Sequence, residues 1–167
     1  MRDYFLTLAS YHRWAYGKLF ESLKPLDDRD YRRDVGLPFG GIHGTLNHLL
    51  LVERLWLARF ENRTAPYKTL AEEIDPDRLS LVADLEAQAA RWTDVLVGWP
   101  GERFAAQLSY VTTEGDSRTL PVTPLFAHVF NHGTHHRGQI SAIITRFGYD
   151  YPVMDLPYFL AEAEPVL

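Results

Sequence analysis

The 167-residue sequence contains no cysteine, and this absence excludes several kinds of chemistry at once. Structural disulfides, thiolate zinc sites and a cysteine nucleophile all require that residue. A transition-metal site in this chain must therefore be built from histidine, aspartate or glutamate side chains.

The sequence also lacks long apolar runs and clusters of basic residues. No segment approaches the roughly 20 apolar residues of a membrane-spanning helix, and the first residues do not have the pattern of a signal peptide. Seventeen lysines and arginines against 22 aspartates and glutamates give a net charge of -5, without a basic footprint for nucleic acid. We therefore expect a cytoplasmic protein that binds neither membranes nor nucleic acids.

Hydrophobic periodicity predicts four helices within a single domain, residues 1–167. A proline-containing loop over Asn62–Pro76 forms a long crossover, and residues 107–122 have the pattern of a small hairpin or extended loop before the last helix. In that helix Thr123 is the expected N-cap, and Gly148 ends it. The fold class predicted is an all-α four-helix bundle, with helices over Arg2–Leu23, Ile42–Glu61, Asp77–Val97 and Pro124–Phe147.

Four of the seven histidines fall within nine positions of the last predicted helix. His132 and His136, four residues apart, lie on one face and occupy positions where the core-facing stripe calls for apolar residues. His48 lies on the inward line of its own helix and is the best candidate for a third metal ligand. Glu53 falls about 140° around that helix from His48, so we do not expect it to bind the same ion.

Each of these histidines could instead have an ordinary structural role in the core. A single core-facing histidine is more often hydrogen-bonded within the core than bound to metal, which favours structural roles for His12 and His43. His128 and His135 lie on the flank of the stripe, as partners of the ligands or as surface residues. Three unpaired buried imidazoles would each cost about 1–3 kcal/mol, which favours metal binding for the other three histidines.

Two further residues are candidates for substrate contacts. Trp56 lies about two turns along the helix from His48 and can form the wall of a pocket, although bundle packing is its commoner role. Arg137 follows His136 directly and is either a structural cation or a group that holds a substrate anion near the metal.

The segment His128-Val-Phe-Asn-His-Gly-Thr-His-His-Arg-Gly-Gln139, with Asn47-His48, Glu53 and Trp56, resembles the DinB family of damage-inducible bacterial proteins. The similarity extends over essentially the whole chain. It implies a four-helix bundle with a long crossover, often a homodimer, with one divalent metal ion on three histidines. Carried over to this sequence, those ligands are His48, His132 and His136.

The resemblance leaves several functions open. Members of the wider superfamily are similar to thiol-dependent transferases that use bacillithiol, mycothiol or glutathione. The leading hypothesis is a metal-dependent enzyme that activates a low-molecular-weight thiol for transfer, or water for hydrolysis of a small-molecule substrate. The alternatives are a non-catalytic metal-binding stress-response bundle and, last, a partner-binding bundle with ordinary core histidines.

Histidine ligands do not determine which metal is bound. Neutral imidazole accepts several divalent ions, and we expect zinc or nickel ahead of iron or manganese. Protonation of unperturbed imidazoles would weaken binding as the pH falls toward about 6.

Overall fold

Four long helices form a bundle in the computed structural model, which describes residues 1–162. Helix α1 packs against α4 and α5, and α3 packs against the same two helices. The predicted all-α four-helix bundle is confirmed, and none of the described helices has the length and apolar character needed to cross a bilayer. The helices of the described chain are α1 (Arg2–Leu23), α2 (Asp28–Arg32), α3 (Ile42–Phe60), α4 (Arg78–Gly98), α5 (Val122–Arg146) and α6 (Leu156–Glu162).

Local side chains and one glycine mark several helix ends. The carboxylate of Asp27 accepts a hydrogen bond from the backbone N–H of Asp30 at the start of α2. Asp77 caps α4 in the same way, through the N–H of Ser80. Gly148 follows the last turn of α5 with a φ of 84°, a conformation that glycine adopts without strain.

The start of α5 differs from the prediction. The helix begins at Val122, and Thr123 is its second residue and does not cap it. The Thr123 hydroxyl donates a hydrogen bond of 2.6 Å to the carbonyl of Phe104, which lies in a short 3-10 helix, Gly101–Ala105. This contact turns the hydroxyl away from the free N–H groups of its own first turn and ties α5 to the preceding segment.

A small antiparallel hairpin precedes α5, as the sequence predicts. Its strands are β1 (Gln107–Val111) and β2 (Ser117–Pro121), with Ser109 opposite Thr119. Gly115 lies in the turn with a φ of 93°. The hairpin packs against α3 and α5 and therefore covers one side of the bundle.

The core contains a buried polar layer between two apolar clusters. One cluster includes Tyr16 of α1 and Ile140 of α5, and the other includes Phe5 of α1 and Phe126 of α5. His12 and Arg137 lie between these clusters along the two helices and are 0% and 1% exposed. Buried polar groups of this kind require hydrogen-bond partners.

Glu53 of α3 is the acceptor of this layer. Its carboxylate accepts hydrogen bonds from the Tyr16 hydroxyl at 2.6 Å, His12 Nε2 at 2.9 Å and Trp92 Nε1 at 3.0 Å. Burial alone would raise the pKa of Glu53, but the interactions with His12, Tyr16 and Trp92 lower it below its usual range. The carboxylate is therefore ionised in the interior.

Arg137 of α5 is the opposite charge of the same layer. It donates a hydrogen bond of 3.0 Å from Nη1 to Nδ1 of His12. A guanidinium only donates, so His12 Nδ1 carries no proton and Nε2 donates to Glu53. Burial lowers the pKa of His12, which agrees with this neutral form. The structural role predicted for His12 is thus a neutral bridge between two buried charges, within a network that reaches all four long helices.

Gly133 gives the first testable prediction, because the His12 ring packs directly against it. A Cβ at this position would overlap Cε1 of His12 and approach the Arg137 guanidinium. We expect Gly133→Ala to lower the free energy of unfolding by about 1–3 kcal/mol, as other overpacked cores do. Denaturant unfolding measures the effect.

The matched control is Gly138→Ala in the same helix, where an added Cβ meets nothing within 4 Å. This control should raise stability by about 0.5–1 kcal/mol, because alanine favours the helix over glycine. Equal effects of the two substitutions would contradict the packing described here.

Candidate metal centre

Helices α3 and α5 bring three histidines together. His132 and His136 lie one turn apart on α5, and their Nε2 atoms are 3.1 Å from each other. The Nε2 atom of His48, from α3, is also 3.1 Å from that of His132. One ligand atom of each histidine lies within 4.8 Å of the others, so the three predicted ligands form one cluster.

Hydrogen bonds fix the tautomers of two of these rings. His48 donates from Nδ1 to the carbonyl of Leu70 at 2.8 Å, and His136 donates from Nδ1 to Gln139 Oε1 at 2.7 Å. A neutral imidazole with a proton on Nδ1 has a free lone pair on Nε2. Both lone pairs are therefore available at the centre of the cluster, as in metal sites where the second ring nitrogen is held by another group.

The donor set fits a divalent metal ion. If His132 carries a proton on Nε2, that proton can form a good hydrogen bond to only one of the two neighbouring lone pairs. The other lone pair then has no donor within the cluster, and a bound cation would provide a partner for it. Nitrogens bound tetrahedrally to zinc lie about 3.3 Å apart, close to the two separations of 3.1 Å. The donor atoms of the cluster, all within 4.8 Å of one another, are therefore close enough to bind one ion together.

Burial keeps these imidazoles neutral. It lowers the pKa of His48 to about 4, against a smaller opposite effect of the Leu70 carbonyl. Burial, followed by repulsion from the neighbouring histidines, lowers the pKa of His132 to about 2, and burial also lowers that of His136. Neutral imidazole is the form that binds metal, so proton competition should begin at a lower pH than the value near 6 expected from the sequence.

The loop before α3 packs on the cluster. The ring of Phe39 stacks on His48, with centroids 3.7 Å apart and planes 14° apart. Gly44 allows this approach, because a Cβ there would overlap the Phe39 carbonyl. The ring of His48 is thus held between this loop and α5.

Asn47 positions the crossover segment that carries the His48 acceptor. Its Oδ1 accepts hydrogen bonds from the N–H groups of Ile74 and Asp75, both at 2.9 Å, and its Nδ2 donates to the Asp75 carbonyl at 3.0 Å. The crossover is therefore attached to α3 one residue before His48. Leu70 in the same segment then receives the His48 proton.

A cavity of about 290 Å³ opens beside the cluster. His48 and His132 form part of its wall. The rest of the wall comes from α3, the crossover, the hairpin and α5: Val52, Leu55, Trp56, Arg59, Leu70, Tyr110, Thr112, Thr113, Glu114 and His128. A small molecule in this cavity would lie directly against two of the three candidate ligands.

The two predicted substrate-contact residues have different surroundings. Trp56 lines the cavity, and its ring packs against Tyr110 at 5.3 Å and His128 at 5.5 Å between centroids. Arg137 does not line the cavity. It points about 100° around α5 from His136, where it binds His12 and Thr134, so its role in the structure is that of a buried core cation.

The remaining histidines, His43, His128 and His135, lie outside the three-histidine cluster. Nε2 of His43 is 3.0 Å from Glu73 Oε1 and its Nδ1 is 3.2 Å from the Tyr31 hydroxyl, as expected for a structural residue. His128 is exposed at the cavity wall, and its ring centroid is 5.4 Å from that of His132. His135 is exposed, and its ring lies beside His136 outside the ligand set.

Sequence reasoning missed Arg59 and the hairpin residues of the cavity. Arg59 lies three residues after Trp56 on α3, so helical spacing from a predicted wall residue was the available signal. Tyr110 and Glu114 had no comparable signal, because the docking of the hairpin on α3 is non-local.

A four-helix bundle with three histidines able to hold a metal ion is the class of protein that this fold and site define. The DinB family model matches residues 1–166, and the chain belongs to the DinB family. Over 164 residues it is 27% identical to Protein DinB of Bacillus subtilis (strain 168), covering 96% of this chain and 95% of that protein.

A solved structure shares the fold. YfiT from Bacillus subtilis is described as a probable metal-dependent hydrolase with an unusual four-helix bundle topology. It matches with a TM-score of 0.64 and 19% identity, over 89% of each chain. At this identity the match establishes the common fold alone.

The lowered pKa values predict how stability depends on pH in the metal-free protein. Unfolded histidine binds a proton near pH 6.5, whereas folded His48 does so only near 4 and His132 near 2. Their contribution to the free energy of unfolding is therefore fully present above pH 6.5. It decreases as the pH falls below 6.5, and the loss is complete below about pH 4 for His48 and below about pH 2 for His132. We expect the free energy of unfolding, measured by denaturant titration, to fall between pH 7 and 4.5.

His132→Gln should make this decline shallower, because it removes the residue with the larger shift. A wild-type stability that stays level across the range, or a decline of equal steepness in the variant, would contradict the account.

Proposed function

We propose that the protein is a metal-dependent enzyme that binds one divalent ion through His48, His132 and His136 and acts on a small molecule in the adjacent cavity. One observation carries this proposal. His48 and His132 belong both to the histidine cluster and to the wall of the 290 Å³ cavity, so two of the three candidate metal ligands border the candidate substrate space. Pockets with a few convergent polar groups are the usual sites of ligand binding.

The protein side of the metal site is prepared before an ion binds. Leu70 and Gln139 hold the Nδ1 protons of His48 and His136, which leaves each Nε2 free to coordinate. The all-nitrogen donor set suits zinc or nickel, with iron and manganese next. When bound, such an ion lowers the pKa of a coordinated water or thiol and so makes a nucleophile at neutral pH.

The remaining cavity residues supply binding and proton transfer. Trp56 and Tyr110 form an aromatic wall for an apolar part of the substrate. Partial desolvation of the ring at the cavity wall, and then the charge of Arg59, lower the pKa of His128. His128 is therefore neutral at pH 7, and we assign it the role of accepting the proton that the nucleophile loses.

Two reaction classes share that first step. Hydrolysis would use water as the nucleophile, and the description of YfiT as a probable metal-dependent hydrolase supports this class. Thiol transfer would use a low-molecular-weight thiol, which the DinB resemblance suggests. Both classes need the same ion and the same proton acceptor, so a common set of variants tests them together.

The proposal predicts that metal and turnover are lost together. Protein purified without an affinity tag should contain close to one zinc or nickel ion per chain by elemental analysis. His132→Ala should bind the ion at least about 100-fold more weakly, because it removes a direct ligand and not only a supporting group. Screens of ester and amide hydrolysis and of thiol transfer should show turnover that stops on chelation and returns with the ion.

His135→Ala is the matched control, since His135 is the adjacent exposed histidine outside the ligand set. It should retain metal and turnover. Wild-type protein that refuses zinc, nickel and manganese, or equal metal loss in the two variants, would end the proposal. Metal binding without turnover in any screen, together with a large fall in the melting temperature of His132→Ala, would favour a non-catalytic metal-binding bundle.

A further inference from the structure

The cavity beside the histidine cluster contains a cation, Arg59, that lies against two aromatic rings which also contact each other. Its guanidinium carbon lies 4.7 Å from the Trp56 ring centre and 4.6 Å from that of Tyr110. Nη2 also donates a hydrogen bond of 3.1 Å to the carbonyl of Val111. These contacts fix the position of a side chain that otherwise has many rotamers.

Arg59 differs from its neighbours because no carboxylate pairs with it. Arg54 forms an ion pair with Asp84, and Arg63 forms one with Glu61. Within residues 1–162, no direct ion pair involves Arg59. A guanidinium has five donors, so most of those of Arg59 remain available.

The one acidic residue that the described chain places in this cavity wall does not neutralise Arg59. Glu114 is exposed in the hairpin turn, and its Oε1 accepts a hydrogen bond of 2.7 Å from the Thr113 hydroxyl. The charges of Glu114 and Arg59 attract each other at a distance, but the two side chains do not form a direct ion pair. The charge in the cavity is therefore open to an external anion.

The partial burial of Arg59 favours the binding of such an anion. It lowers the pKa of Arg59, although Tyr110 and Glu114 act in the opposite direction. Arginine nevertheless stays protonated at neutral pH. A partly buried cation without a direct counter-ion gains more from an incoming anion than an exposed one does, because less water screens the pair.

Arg59 lies where it could contact a substrate that is bound beside the histidine cluster. Arg59 and Tyr110 line both the cavity of about 290 Å³ at the histidine cluster and a second cavity of about 340 Å³. A molecule that extends from the cluster into the second cavity would lie against this shared wall, which includes Arg59. An anionic group at that point would be fixed in orientation by the planar fork of the guanidinium.

We propose that Arg59 is the specificity residue of this site and that the substrate carries an oxyanion group, a carboxylate or a phosphate, beside an apolar portion that packs on Trp56 and Tyr110. The assignment to a substrate rests on the proposed function. The anion site itself does not, because its residues are present whether or not a metal ion is bound. Arg137, for which an anion contact was one of two alternatives, is 1% exposed in the core.

The test measures binding directly and does not depend on activity. Three probes with the same apolar body would be titrated into the full-length protein: 3-phenylpropionate, 2-phenylethyl phosphate and the uncharged 3-phenylpropionamide. The readout is the Nε–H resonance of Arg59 in ¹⁵N-labelled protein, assigned by its loss in Arg59→Gln. Titrations of metal-free and zinc-loaded protein separate this anion site from the metal site.

We expect at least one anionic probe to bind roughly tenfold or more tightly than the amide and to shift the Arg59 resonance. Arg59→Gln should bring anion and amide to similar affinities, and the preferred anion identifies carboxylate or phosphate as the group recognised. Equal binding of amide and anions to the wild type, or an anion preference that survives in Arg59→Gln, would overturn the proposal. Failure of zinc to bind would count against the proposed function and leave this result standing.

Two further variants keep the test independent of any folding defect at Arg59. Arg63→Gln removes a charge from the wall of the second cavity, but its guanidinium is already paired with Glu61, so anion binding should change little. Glu114→Gln removes the exposed carboxylate of the cavity wall and should strengthen anion binding without affecting the amide. Anion binding that is unchanged or weaker in Glu114→Gln would contradict the assignment.

Discussion

Two opposite charges buried in the bundle, the Glu53 carboxylate of α3 and the Arg137 guanidinium of α5, set the arrangement of the helices. Neutral His12 of α1 links them, and Trp92 of α4 completes the carboxylate's partners. The two charges do not touch, and each depends on hydrogen bonds to neutral groups, so removing a partner would leave a buried charge without compensation. The four helices therefore cannot shift past one another without breaking this network. Gly133 allows it to form, since only a residue without a side chain leaves room for the His12 ring.

The same two helices carry the candidate metal ligands on other faces. Glu53 follows His48 by five residues and Arg137 follows His136 by one, which separates the faces by about 140° and 100°. Interactions in the core thus hold α3 and α5 at the spacing that brings the three Nε2 atoms together. The crossover carbonyl and a glutamine on α5 then fix the rotation of two rings. The site is organised by the fold, and a bound ion would add to an arrangement that already exists.

Local periodicity was sufficient to predict the bundle and the inward direction of His132 and His136, because both depend on the spacing of residues along a single helix. The same rule, applied to Arg137, would have placed it about 100° from His136 and away from the metal. Thr123 fitted the pattern of an N-cap, but a tertiary hydrogen bond to the preceding 3-10 helix determines its orientation. The Leu70 carbonyl was not predictable, since the path of the crossover depends on contacts with α3 that are distant in sequence. The spacing of Arg59 from Trp56 placed it on the same side of α3, but Tyr110 and Glu114, which complete its cavity, were not predictable because the hairpin docks non-locally.

The proposed function requires that His48, His132 and His136 bind one metal ion through their Nε2 atoms. Diffraction from crystals of zinc- or nickel-loaded protein, collected at the absorption edge of the metal, tests it most directly. We expect one anomalous peak in the cluster, about 2.0–2.1 Å from each of the three nitrogens if the ion is zinc. A peak at other residues, or rings that turn apart around an empty centre in fully loaded protein, would contradict it.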